Sequence, residues 1–173
     1  MGKLIDDVKF VVATPGHATA TTTWDNATYL LGNAVNVENY NHVTVFLLGS
    51  HTTGAGGSLR FLESLTSANC NAAGLAGGTA WIVDPEYYYV NAQTSAESDT
   101  WTRTAVTSAT VIVAPSATAQ TSYVIELDTV KMAHGGPFLA INMIADGSNC
   151  YAGIYILSQP RYASAEGSPT AIV

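Results

Sequence analysis

Apolar residues in this 173-residue chain fall into short runs, nearly all of four to eight residues, regularly punctuated by stretches rich in Gly, Pro, Asn or Ser. The candidates are residues 29–31 with their flanks, 43–48, 58–62, 79–83, 87–90, 101–107, 110–113, 123–127, 138–144 and 151–157. Between them, 49–57, 91–99, 115–120 and 134–137 carry the residues that turns require. Threonine occurs 21 times, and its β-branched side chain fits a pleated, half-exposed surface. Strands at this spacing predict an all-β fold, an antiparallel β-sandwich in jelly-roll form, with little helix. The one weakly helical stretch, 63–76 (ESLTSANCNAAGLA), has Thr, Ser, Asn and Gly across any apolar stripe, which leaves room for one or two turns.

The closing stretch, 123–162, is the densest. Its runs 138–144 (FLAINMI) and 151–157 (YAGIYIL) flank Asp146-Gly147-Ser148-Asn149, a turn sequence, so the two are predicted to pair as a buried antiparallel hairpin. Glu126 and Asp128 alternate with Val124, Ile125 and Leu127, as on the solvent-facing side of a strand.

Charged residues make up only 11% of the chain, where about 25% is usual, so Thr, Ser, Asn, Gly and Ala must form the surface. The net charge is −7, and the six basic residues (Lys3, Lys9, Arg60, Arg103, Lys131, Arg161) are scattered singly. That pattern offers no basic stripe for nucleic acid and no polybasic membrane patch. No apolar run approaches the length of a spanning helix. Asp6, Asp7 and Lys9 stand where a signal peptide would be apolar, so synthesis in the cytoplasm is expected.

At 18.1 kDa, with no internal repeat and no low-complexity linker, one domain is expected. Residues 1–15 read as an N-terminal extension or arm, 16–162 as the sandwich and 163–173 as a C-terminal tail. Both ends either fray or pack on a neighbour. Cys70 and Cys150 lack metal-ligand spacing and read as two buried free thiols, a disulfide being the alternative.

No constellation points to catalysis. His134-Gly135-Gly136 matches the glycine-rich loop of lipase oxyanion holes, but the G-x-S-x-G nucleophile turn is missing, and a turn between strands is the plainer reading. Asp84, Glu86, Glu126 and Asp128 include the carboxylate types that glycoside hydrolysis pairs, yet their alternation suits a solvated face. His17, His42, His51 and His134 have no ligand spacing, and Asp146-Gly147-Ser148-Asn149 is first a turn. Asn26-Ala27-Thr28 fits the glycosylation acceptor pattern but has no secretory context. No catalytic residue, cofactor or metal is therefore expected.

Aromatic residues leave a route to binding. Tyr87 and Tyr89 share one face of a strand and Tyr88 takes the other, so two rings at most form a sugar-stacking platform, with Trp24, Trp81 and Trp101 as further candidates. Tyrosines that straddle a core and an interface are the competing reading.

Val37-Glu38-Asn39-Tyr40-Asn41-His42-Val43-Thr44-Val45-Phe46-Leu47-Leu48-Gly49, Phe138-Leu139-Ala140-Ile141 and the ending Ile154-Tyr155-Ile156-Leu157-Ser158-Gln159-Pro160-Arg161-Tyr162 together resemble small structural proteins of tailed bacteriophages. The resemblance spans roughly residues 29–162. It implies a head decoration or cement protein on the virion capsid surface, bound to the major capsid protein, often as a homotrimer. A carbohydrate-binding module, a tail-associated adhesion protein or another minor virion protein are the alternatives. The low charge suits lattice contact, since long charged side chains lose conformational entropy when immobilised. The expected interface comprises Phe10, Val11 and Val12 and the Tyr87, Tyr88 and Tyr89 triplet.

Overall fold

The computed structural model describes residues 8–13, 29–31, 33–51, 58–70, 80–85, 87–93, 100–106, 111–112, 120–144 and 149–161. Twelve strands run in chain order as β1 (Val8–Val12), β2 (Tyr29–Leu31), β3 (Val35–Asn36), β4 (Tyr40–His51), β5 (Ser58–Ser64), β6 (Ala80–Val83), β7 (Tyr87–Gln93), β8 (Thr102–Ala105), β9 (Val111–Ile112), β10 (Gln120–Asp128), β11 (Phe138–Ile144) and β12 (Asn149–Pro160). The helical signal after residue 63 amounts to one turn, Ser67–Cys70, and a 3-10 turn, Thr129–Lys131, follows β10. Expectations on Trp24, Glu86, His17, Asn26, the turn residues 146–148, the tail 163–173 and the side chains of His51 and Cys150 lie outside the described residues.

The strands form two antiparallel sheets. Sheet A runs β1-β12-β4-β10-β7-β8, and sheet B runs β2-β11-β5-β6, with β3 also on β11 and β9 on β5. Alternation along each strand sends Val43, Val45, Leu47, Tyr123, Ile125, Leu127, Tyr155 and Leu157 from sheet A against Val35, Leu59, Phe61, Val83, Leu139 and Ile141 from sheet B. The predicted all-β sandwich is thus the observed fold.

The predicted hairpin is not formed. β11 pairs with β2, β3 and β5 in sheet B, whereas β12 pairs with β1 and β4 in sheet A. Seven-residue β11 pairs with seven-residue β5 along its whole length, and twelve-residue β12 runs the whole length of twelve-residue β4. Four connecting residues reach about 13 Å, enough to step the roughly 10 Å between stacked sheets. β10 lies between β4 and β7. Glu126 and Asp128 still sit on its outer side, opposite Ile125 and Leu127.

Within the segment 1–15, residues Val8–Val12 are a strand of sheet A, paired with β12 over five residues, and Ala13 is fully buried. This part is sheet rather than arm, because Val11 packs on the core while Phe10 and Val12 face outward.

The two sheets differ in how well they are covered. In sheet B, Leu62 and Ala140 are buried although they have the opposite parity to core residues Phe61 and Ile141. Nearby, the Cys70 thiol of the helical turn donates to the carbonyls of Phe138 (3.4 Å) and Leu62 (3.5 Å). Among the described residues nothing comparable covers the outer side of sheet A, where the side chains other than buried Asn91 are half-buried or exposed.

Candidate functional site: the outer face of sheet A

The registers of five strand pairs place Val12, Ile154, Phe46, Val124, Tyr89 and Arg103 side by side in one cross-strand row that crosses all six strands. The first five are apolar or aromatic. A neighbouring row runs Phe10, Ile156, Thr44, Glu126, and the row on the other side runs Ala152, Leu48, Ser122, Asn91. Phe10 (47%), Val12 (56%) and Leu48 (48%) are the most exposed large apolar side chains of this face. Isolated exposed apolar residues are ordinary, but a contiguous set on a rigid sheet marks a contact surface.

The two segments expected to form an interface, residues 10–12 and 87–89, therefore meet on one surface, four strands apart in sheet A. Phe10, Val12, Tyr87 and Tyr89 lie on it. Val11 and Tyr88 do not: each is out of phase by one residue and packs against the core, Tyr88 lying 6.3 Å from Tyr123 between ring centroids. At the β7 end, Tyr87 and Tyr89 meet edge to face (centroids 5.6 Å apart, 82° between planes), and the Arg103 guanidinium lies 3.9 Å from the Tyr87 ring centroid.

Below the apolar rows the face turns acidic. His42, Asp84, Tyr87, Glu126, Asp128 and Lys131 line a cleft of about 60 Å³. Three carboxylates singled out in the sequence thus share one place. His42 Nδ1 and Asp128 Oδ1, cross-strand partners, are 3.0 Å apart. The carboxylates do not converge on a point: among the described residues no three His, Cys, Asp or Glu side chains are placed to hold a metal ion.

A second polar cluster lies at the same end of the sandwich, between the sheets. Glu63 is fully buried at the end of β5, and its Oε1 accepts the backbone N–H groups of Gly136 (2.7 Å) and His134 (3.1 Å). Its other oxygen is 3.6 Å from His134 Nδ1, and the His134 ring stacks on Trp81 at 4.5 Å with 1° between planes. The His134-Gly135-Gly136 loop is therefore the turn expected of it, with its N–H groups occupied by Glu63. Gly135 has φ +69°, and a Cβ on Gly136 would sit 2.6 Å from the Ser64 carbonyl oxygen, so both positions require glycine. Glu63 went unnoticed in the sequence, although its signal was there: a carboxylate two residues after Phe61 and four after Leu59 occupies an inward position of its strand.

Comparison with protein-family models, curated proteins and solved structures returned no match. The functional reading thus rests on the residues and their arrangement.

Proposed function

We propose that this chain is a structural protein of a tailed-phage virion, a head decoration or cement protein that binds the outside of the capsid and reinforces contacts between major capsid subunits. One observation supports the reading above others: the outer face of sheet A presents Val12, Ile154, Phe46, Val124 and Tyr89 in a row, flanked by Phe10, Ile156 and Leu48. Such a face gains more from burial in an assembly than from water. Self-association, which the sequence resemblance implies as a trimer, belongs to the same reading, as does the absence of a catalytic role.

Stacking on sugar is the alternative from another class, and it asks for coplanar exposed rings. Tyr87 and Tyr89 are nearly perpendicular, Arg103 covers Tyr87, and Trp81 is stacked on His134, so this geometry favours protein contact over a sugar platform.

The test is co-sedimentation of purified protein with capsids assembled without it, followed by electron microscopy of the particles. Ordered density on the outer capsid surface supports the proposal. Failure to bind at saturating protein, or binding to tails or to host polysaccharide instead, counts against it.

A further inference from the structure

We propose that a cleft of about 310 Å³ at the end of the sandwich, away from the outer face of sheet A, binds a small carboxylate with an apolar body and that Arg161 is its anchor. The site goes beyond the virion reading above and is tested without capsids.

The cleft lies between the 3-10 turn after β10, the loop into β11 and the segment between β3 and β4. Val37, Val130, Met132 and Pro137 give it apolar walls. Its volume falls at the lower end of the range for ligand clefts, in which apolar walls surround a few fixed polar groups. Arg161, directly after β12, supplies the cation.

That cation is held in advance of any ligand. Arg161 Nε donates to Asn41 Oδ1 at 2.9 Å, and Nη2 donates to Thr129 Oγ1 at 3.1 Å. Thr129 is buried, and its hydroxyl donates in turn to the Tyr40 carbonyl at 2.6 Å. The backbone N–H of Arg161 is also fixed, on the Asn39 carbonyl at 2.8 Å. Two residues earlier, Gln159 has φ +55°, the only positive φ at a non-glycine position among the described residues, and it precedes Pro160, which favours extended backbone there. Strain of this kind persists where the surroundings over-determine the chain, and it collects at ligand sites. Here it sits where the chain leaves β12 and turns Arg161 onto its three partners.

The guanidinium has five N–H donors, of which two are used, so three remain without a partner among the described residues. Their planar fork matches a carboxylate, and side-chain entropy already lost on folding is not lost again on binding. Glu38 shares the lining, and its negative charge favours a singly charged acid over a doubly charged anion. The apolar walls require that the acid carry a hydrocarbon body.

Amide NMR titration of the full chain with phenylacetate tests the site, with phenethyl alcohol as the uncharged probe and inorganic phosphate as the anion without an apolar body. Phenylacetate is expected to give saturable shifts at Val130, Met132, Gly136 and Arg161 with a Kd of about 0.1–10 mM. Both comparison probes are expected to bind at least about tenfold more weakly. Arg161→Gln and Val130→Asp are each expected to weaken phenylacetate by about tenfold with an unchanged strand spectrum in circular dichroism. Val130 is 77% exposed, so its substitution leaves the packing intact and carries the test if Arg161→Gln does not fold. Lack of saturation by about 50 mM, equal binding of the alcohol or of phosphate, or full affinity in either folded variant overturns the proposal.

Discussion

The phenol oxygen of Tyr155, in sheet A, accepts the backbone N–H of Ile141, in sheet B, at a distance of 2.8 Å. β3 pairs with Phe138 and Leu139, and β2 with Asn142 to Ile144, which leaves Ala140 and Ile141 between them without a strand partner on that side among the described residues. A fully buried tyrosine fills the gap from the opposite sheet. Tyr155→Phe removes the acceptor and leaves a buried N–H unpaired, which is expected to cost about 1–3 kcal/mol. Urea unfolding checks it, with a lower midpoint at an unchanged slope as the expected result.

Glu63 holds the loop that carries the chain from sheet A to sheet B. Glu63→Gln keeps an oxygen acceptor for His134 and Gly136, whereas Glu63→Ala strands both N–H groups and opens a void beside them. The expected order of stability is wild type, then Gln, then Ala, with the Ala variant down by roughly 3 kcal/mol. Equal losses for the two variants would contradict the hydrogen-bonding role.

Glycine is needed at 135 and 136 for different reasons, and the alanine variants separate them. Gly135→Ala meets open space and suffers only from its left-handed φ, about 1 kcal/mol. Gly136→Ala drives a methyl group into the backbone carbonyl of Ser64, which cannot swing aside as the end of a flexible side chain can, so a loss of about 1–3 kcal/mol is expected. Thermal melts are expected to show the larger drop for position 136.

Alkali is expected to destabilise the fold in two stages. Burial first, and the Glu63 charge second, push the Cys70 thiol up to about 12 from 9.0. Burial raises Tyr123 and Tyr155 further still, and Tyr40 as well. In each case the native state keeps a proton that the unfolded chain gives up, so stability is fully present below the unfolded values and falls as pH rises. The decline starts near pH 9 through Cys70 and steepens above pH 10 through the tyrosines. Unfolding midpoints measured from pH 7 to 11 check this, and iodoacetamide at pH 8 is expected to spare Cys70 in the native protein but label it in urea.

Much of the fold was legible one strand at a time. All ten strands expected from short apolar runs are present, because period-two alternation is a local property of the chain. The strand at Val8–Val12 was hidden by Lys9 and the neighbouring aspartates, and β3 is only two residues long. Of the interface candidates, Phe10, Val12, Tyr87 and Tyr89 share a face, while Val11 and Tyr88 fell to the same alternation that made their strands recognisable.

By itself, then, the sequence determined the all-β class, the strand positions and the side of each strand that meets the core, since these depend on residue order and a two-residue repeat. Only the tertiary structure decided which strands are neighbours. β11 and β12 look like one hairpin, yet long-range pairing with β5 and with β4 places them in different sheets, and a four-residue connection permits either outcome. The same pairing gathers Val12, Ile154, Phe46, Val124 and Tyr89, drawn from five separate strands, into one row. It also brings Glu63 within hydrogen-bonding distance of a loop 71 residues away, a contact that no local pattern encodes.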